Sequence, residues 1–249
     1  MAGHSHSKNV MHQKEKEGAK KAKVFNKLAR EIVVASKLGM PDPAANPRLR
    51  AAIIDARKNN MPRDRIERAI ASGQPGGGDG ANYEEMRYEA YGPGGCALMI
   101  EALTDNRART ASELRTALGK MGGNLGETGS VAFMFDRVGE ITFLAKVASA
   151  DAMLEAVIEA GGDNVESGSQ SHDVTTTVED FGPVRNALEA KFGEPENAKL
   201  VWKPKSPVPI SGDNAQQLIK LLDALEDNDD VQHTFGNYEI SEEEWAKAG

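Results

Sequence analysis

The residues in this chain best suited to chemistry are cations on one side of a helix. Lys16, Lys20, Lys23, Lys27 and Arg30 recur at steps of three or four residues, the spacing that stacks side chains along one helical face. A ribbon of cations so arranged suits a phosphate backbone, because each neutralised phosphate releases condensed counterions. A solvated lysine face has the same pattern, so the surroundings decide. Lys8 and Lys14 precede the ribbon, and Arg48, Arg50, Arg57, Lys58, Arg63, Arg65 and Arg68 follow it. Residues 1–70 hold 16 of the 30 Lys/Arg but 7 of the 38 Asp/Glu, a balance of +9 in a chain of formal net charge −8. Residues 71–249 therefore carry −17. Such asymmetry suggests a basic binding arm on an acidic body. The expected phosphate contacts are Lys8, Lys16, Lys20, Lys23, Lys27, Arg30, Arg48 and Arg50. The segment lacks a convincing helix-turn-helix, a zinc module or an aromatic-rich RNA motif, so base-specific reading is not expected.

A second candidate is Asp105-Asn106-Arg107-Ala108-Arg109-Thr110. Thr110 and Glu113 fit a capping box, which predicts a helix over 110–121. Its free N–H groups, with Arg107 and Arg109 just before them, would suit a phosphate. Equally, those arginines would pair with local carboxylates such as Asp105. Both readings stand on sequence alone.

No catalytic set assembles. Cys96 sits in the apolar run CALMIEAL and is expected to be buried. His4, His6 and His12 read as a polar tail, and neither His172 nor His233 adjoins an obvious nucleophile. Tyr91-Gly92-Pro93-Gly94-Gly95 reads as a strand-to-strand turn, without the Lys-Ser/Thr of a P-loop. The acidic runs Glu226-Asp227, Asp229-Asp230 and Glu242-Glu243-Glu244 lack the ligand spacing of an EF-hand. They are expected to be solvated surface that repels nucleic acid. Hence no catalytic residue, metal site or cofactor is predicted.

The elements that position these residues fall into three parts. In 16–38, Phe25, Leu28, Ala29 and Ile32 form an apolar stripe opposite the cations, and Pro41 and Pro43 end the helix. Asn46-Pro47 starts a second helix carrying Leu49, Ala52, Ile53 and Ala56, and Pro62 opens a third with Ile66, Ala69 and Ile70. GQPGGGDG at 73–80 reads as a flexible linker. Strands are predicted at 84–91, 96–103, 130–135, 139–144, 172–178, 198–203 and 234–240, with a weakly marked one near 163–169. Helices are predicted at 110–121, 149–160, 180–192 and 211–226. Segment 139–203 has the order of a ferredoxin-like unit. The expected fold class is α+β with three domains. They are a basic three-helix domain with its linker (1–80), a split ferredoxin-like domain (81–138 and 204–249), and a ferredoxin-like domain inserted in it (139–203).

A hydrophobic share of 39% with 27% charged residues is that of an ordinary globular protein. One cysteine excludes an internal disulfide, and no run of 18 apolar residues reads as a membrane span. The N-terminus has no secretory h-region and no arginine of a presequence. The expectation is a cytoplasmic monomer with no membrane partner.

Several segments together resemble the YebC family, which includes the mitochondrial translational activator of cytochrome c oxidase. They are Ala2-Gly3-His4-Ser5, the Lys-rich helix, Asn46-Pro47-Arg48-Leu49-Arg50, Asn59-Asn60-Met61-Pro62 and Tyr88-Glu89-Ala90-Tyr91-Gly92-Pro93-Gly94-Gly95. Asp105-Asn106-Arg107-Ala108-Arg109-Thr110, Gly122-Gly123-Asn124-Leu125-Gly126 and Leu225-Glu226-Asp227-Asn228-Asp229-Asp230-Val231-Gln232 complete the set. The resemblance runs from residue 2 to residue 232. It implies a helical N-terminal domain and two α+β domains, one inserted in the other. Because the pattern begins at Ala2, it also implies a bacterial cytoplasmic member. Many members have a lysine-tryptophan pair where this chain has His6-Ser7, so any stacking role of that tryptophan is absent here. The resemblance implies a DNA-binding transcriptional regulatory protein, or alternatively a translational activator contacting ribosomal RNA. A protein-interaction module with an incidental basic face is a second alternative.

Overall fold

The computed structural model describes residues 3–76 and 82–248, with side chains over 21–76 and 82–247. An N-terminal helical region comes first: α1 (Gly3–Leu38), α2 (Pro47–Lys58) and α3 (Arg63–Ser72). Asn46 fixes the α1–α2 corner. Its Oδ1 accepts the Leu49 N–H at 3.0 Å, while Nδ2 donates to the carbonyls of Ala35 and Met40, each at 2.8 Å. The three predicted stripes meet in one core of Phe25, Ile32, Leu49, Ala52, Ile53, Ala56, Met61, Ile66 and Ala69, with Leu28, Ala29 and Ile70 at its margin. The predicted linker does not begin at Gly73. Gln74 donates to the Ser36 carbonyl at 2.9 Å and to its hydroxyl at 2.8 Å, tying the chain back to α1. Residues 77–80 of that predicted linker lie outside the described residues.

The remainder is two sheet domains. In order the elements are β1 (Glu84–Tyr91), β2 (Ala97–Thr104), α4 (Arg107–Lys120), β3 (Asn124–Leu125), β4 (Phe135–Leu144), α5 (Ala150–Ala160), β5 (Asn164–Ser167) and β6 (Ser171–Thr176). Then come α6 (Phe181–Phe192), β7 (Asn197–Pro204), β8 (Val208–Pro209), α7 (Gly212–Glu226), β9 (Val231–Gly236), β10 (Tyr238–Glu239) and α8 (Glu242–Ala248). One sheet has the order β3-β1-β2-β9, and β8 pairs with β10 in parallel. The other has the order β5-β6-β4-β7 and is antiparallel throughout. Together with the chain order β4-α5-β5-β6-α6-β7, that is the ferredoxin-like arrangement expected of 139–203. Ile141, Phe143 and Val174 of the sheet pack with Met153, Val157, Val184 and Leu188 of its helices.

Three sequence expectations shift. The strands predicted at 130–135 and 139–144 are a 3-10 turn (Ala132–Met134) and one continuous β4. Gly139 does not break that strand: a Cβ there would collide with Thr176 Oγ1 and the Phe181 ring, so glycine admits close packing. The strand predicted at 234–240 divides into β9 and β10. The helix predicted at 110–121 begins at Arg107.

The fold comprises two compact units. The first contains the chain to Arg87 with Ile100–Ala117 and Lys220–Thr234, and the second contains Tyr88–Met99, Leu118–Ile219 and the chain from Phe235. Among the described residues no helix is long and apolar enough to cross a membrane.

Candidate nucleic-acid interface

The first unit brings most of the described candidate cations against carboxylates. Helix α1 turns Phe25 and Ile32 into the three-helix core, and its periodicity sends Lys23, Lys27 and Arg30 to the other side. That side meets the loop 226–230. Lys23 Nζ lies 3.1 Å from Asp227 Oδ1 and donates to the Asp227 carbonyl at 3.2 Å. Lys27 donates to the Glu226 carbonyl. Arg30 Nη1 donates to Asp230 Oδ1 at 2.5 Å, to the Asp229 carbonyl at 2.7 Å and to the Leu103 carbonyl at 3.2 Å. Its guanidinium also stands over the Tyr83 ring, 5.1 Å from the centroid.

Asp230 is the centre of this arrangement. Its side chain is 3% exposed. It accepts from Arg30, from Arg109 Nη2 at 2.9 Å and from the Thr110 hydroxyl at 2.6 Å. Thr110 Oγ1 in turn stands 2.7 Å from Thr104 Oγ1. Burial alone would raise the Asp230 pKa, but the hydrogen bonds from Thr110, Arg109 and Arg30 outweigh it and hold the carboxyl below its ordinary value. Burial pushes the Lys27 ammonium below its ordinary value, against the opposing pull of Glu226, Asp229 and Asp227. Asn228 ties the loop to α4, its Nδ2 donating to Glu113 Oε2 at 2.8 Å, and its Oδ1 accepts the Asp230 N–H at 2.9 Å.

The predicted capping box at Thr110 is corrected. Asn106 Oδ1 accepts the Arg109 N–H at 3.0 Å, so Asn106 caps α4, and the Thr110 hydroxyl is spent on Asp230. Arg107 and Arg109 therefore lie in the first turn rather than ahead of it. Arg107 pairs with Glu84, and Arg109 pairs with Asp105 at 2.7 Å as well as with Asp230. Of the two sequence readings of this segment, pairing with local carboxylates is what the structure displays. The hydrogen bonds that Arg109 donates to Asp230 and Asp105 raise its pKa.

The remaining candidates are distributed. Arg48 binds Glu31 at 2.7 and 3.1 Å and reaches Glu85 at 2.5 Å. Its burial is outweighed by those bonds, and its pKa is raised. Arg50 is half-buried on α2. The side chains of Lys8, Lys16 and Lys20 lie outside the described residues. Of the acidic run expected to be solvated surface, Glu226, Asp227 and Asp229 are exposed; Asp230 departs from that expectation, being buried, and the run lies on the basic face of α1. Sequence reasoning missed Asp230, Thr104, Glu31, Glu84 and Glu85 as partners. The available signal was the charge asymmetry itself, since opposite balances on two segments attract within a chain as readily as they bind a partner.

Elsewhere polar groups serve structure. The Cys96 thiol is buried 3.6 Å from the Pro93 carbonyl, and burial pushes it up to about 11. His172 is buried, its Nδ1 2.7 Å from Ser167 Oγ and its Nε2 3.0 Å from the Ala148 carbonyl. Among the described residues no group of three His, Cys, Asp or Glu is placed to hold a metal ion.

Known proteins share this sequence and fold. Residues 5–76 match the model of the TACO1/YebC protein N-terminal domain, and residues 83–238 match that of the TACO1/YebC second and third domain. A conserved hypothetical protein from Aquifex aeolicus, known from its crystal structure, is 48% identical over 89% of this chain and 91% of its own, with a TM-score of 0.78. The chain belongs to the TACO1/YebC family.

Proposed function

We propose that this chain is a non-enzymatic regulator of gene expression that holds nucleic acid through its phosphates, using the basic N-terminal helical domain. The observation that carries the reading is the described part of the α1 cation ribbon, Lys23, Lys27 and Arg30, set on the face away from the apolar core. Of two targets, ribosomal RNA is favoured over a DNA operator. The outward cations of α3 are closed onto carboxylates one turn away: Arg63 bonds Glu67 at 2.7 Å, and Arg68 bonds Asp64 at 2.7 Å. A helix that neutralises itself in this way is poorly equipped to read base edges in a major groove. On this reading the protein is a translation factor of the cytoplasm, acting as a monomer on the ribosome without cofactor or metal.

The DNA-binding transcriptional regulator remains the second reading, supported by the same ribbon. The two separate in a lysate fractionated on a sucrose gradient. Salt-sensitive co-migration with ribosomes supports translation, and recovery of particular DNA fragments without ribosomes supports transcription. A protein-interaction module predicts instead that pull-downs keep the same partners after nuclease treatment.

A further inference from the structure

Three cations of α1 at successive turns each meet the backbone or side chain of one short acidic segment. Within residues 226–230 there are four carboxylates, and the carbonyls of Glu226, Asp227 and Asp229 also accept from Lys27, Lys23 and Arg30. A run of anionic and carbonyl oxygens along a lysine ribbon occupies the positions that phosphates would take. The two ends of the segment are held differently. At one end Asp230 is buried under Arg30, Arg109 and Thr110. At the other, Lys23 and Asp227 are 40% and 63% exposed, so their pairing is screened by water and salt.

We infer that the acidic loop 226–230 is an intramolecular plug on the nucleic-acid-binding face of α1, rooted at Asp230 and displaced at its Glu226–Asp227 end when a polyanion binds. This inference rests on the nucleic-acid reading above. It makes affinity the outcome of a competition. The target engages Lys23 and Lys27 only by removing carboxylates that already neutralise them, so weak polyanions are rejected and phosphate-dense ones accepted. Burial of Lys27 under the loop agrees, since its ammonium is partly withdrawn from water in the plugged state.

The test uses the full chain and a fluorescein-labelled single-stranded RNA of about 20 nucleotides, followed by anisotropy at low salt. Three proteins are compared. They are the unaltered chain, the loop variant Glu226→Gln/Asp227→Asn/Asp229→Asn, and a charge-matched control Glu155→Gln/Asp163→Asn/Glu179→Gln in exposed positions of the inserted domain. Asp230 is left intact in all three. The loop variant binds about fivefold tighter than the control, as removal of an exposed pair predicts. Equal affinity of loop variant and control overturns the plug while leaving nucleic-acid binding established. Failure of all three to bind overturns the nucleic-acid reading and the plug with it. Should the loop variant not fold, amide hydrogen exchange of the unaltered chain decides. Saturating RNA speeds exchange at residues 226–229, and unchanged or slower exchange there overturns the plug.

Discussion

Replacing Asp230 by alanine removes the acceptor of two guanidinium groups and of the Thr110 and Thr104 hydroxyls, the last at 3.4 Å, in a site that is 3% exposed. Breaking a buried ion pair costs about 3–5 kcal/mol when the surviving charge has no other partner. Arg30 keeps the carbonyls of Leu103 and Asp229, which lowers its share to about 2 kcal/mol. Arg109 is 42% exposed and keeps Asp105, so screening limits its share to about 0.5 kcal/mol. The Thr110 hydroxyl, left buried beside Thr104, adds about 1 kcal/mol. Asp230→Ala should therefore destabilise the first unit by about 3–4 kcal/mol, and Arg109→Ala by less than about 1 kcal/mol. Trp202 and Trp245 both belong to the second unit, so neither is a local reporter of this site. The assay is native-state hydrogen exchange on β9 and α4 through a urea series. A cost below about 1 kcal/mol for Asp230→Ala, or an equal cost for Arg109→Ala, refutes the reasoning. The effect also has a pH signature. The folded pKa of Asp230 is depressed, so its contribution is complete above the ordinary carboxylate value near about 3.9 and is lost as pH falls through the folded value. Asp230→Asn should flatten that acid limb.

Three further outcomes are expected. Lys23→Gln/Lys27→Gln should weaken RNA binding and shallow its log–log salt dependence by about 0.7 for each phosphate no longer neutralised, and an unchanged slope in a binding titration contradicts phosphate recognition by these lysines. Leu49→Ala, in the fully buried core of the three helices, should cost about 2–5 kcal/mol by urea unfolding, and a neutral result contradicts the shared core. Cys96, its thiol raised to about 11 by burial, should resist a thiol reagent at neutral pH until the chain unfolds, and rapid labelling of the native protein contradicts its burial.

Periodicity made the helical region legible, because Phe25, Ile32, Leu49, Ala52 and Ile66 recur at spacings that admit one shared core. The inserted ferredoxin-like order was legible for the same reason, with Gly161 at φ 85° and Ser149 closing the ends of α5. The gap left between the strands predicted at 130–135 and 139–144 was misplaced: Asp136, Arg137 and Val138 lie inside the continuous β4, paired with β7. The candidate interface was legible as a set of cations but not as an environment. Asp230 lies 200 residues from Arg30 and 121 from Arg109 in sequence, and no local pattern reports such a pairing. Thr110 misled as well: its spacing to Glu113 satisfies a capping box, yet a buried carboxylate recruits the hydroxyl and Asn106 takes over the cap.

The central claim is that cations of the N-terminal domain hold ribosomal RNA through phosphates. The most direct test compares sucrose-gradient profiles of the unaltered chain and Lys20→Glu/Lys23→Glu/Lys27→Glu at low and high salt. The unaltered chain is expected to migrate with ribosomal particles at low salt and to leave them at high salt, while the folded variant stays at the top of the gradient. A variant that still migrates with ribosomes, or an unaltered chain that never does and instead retains particular DNA fragments, would contradict the claim.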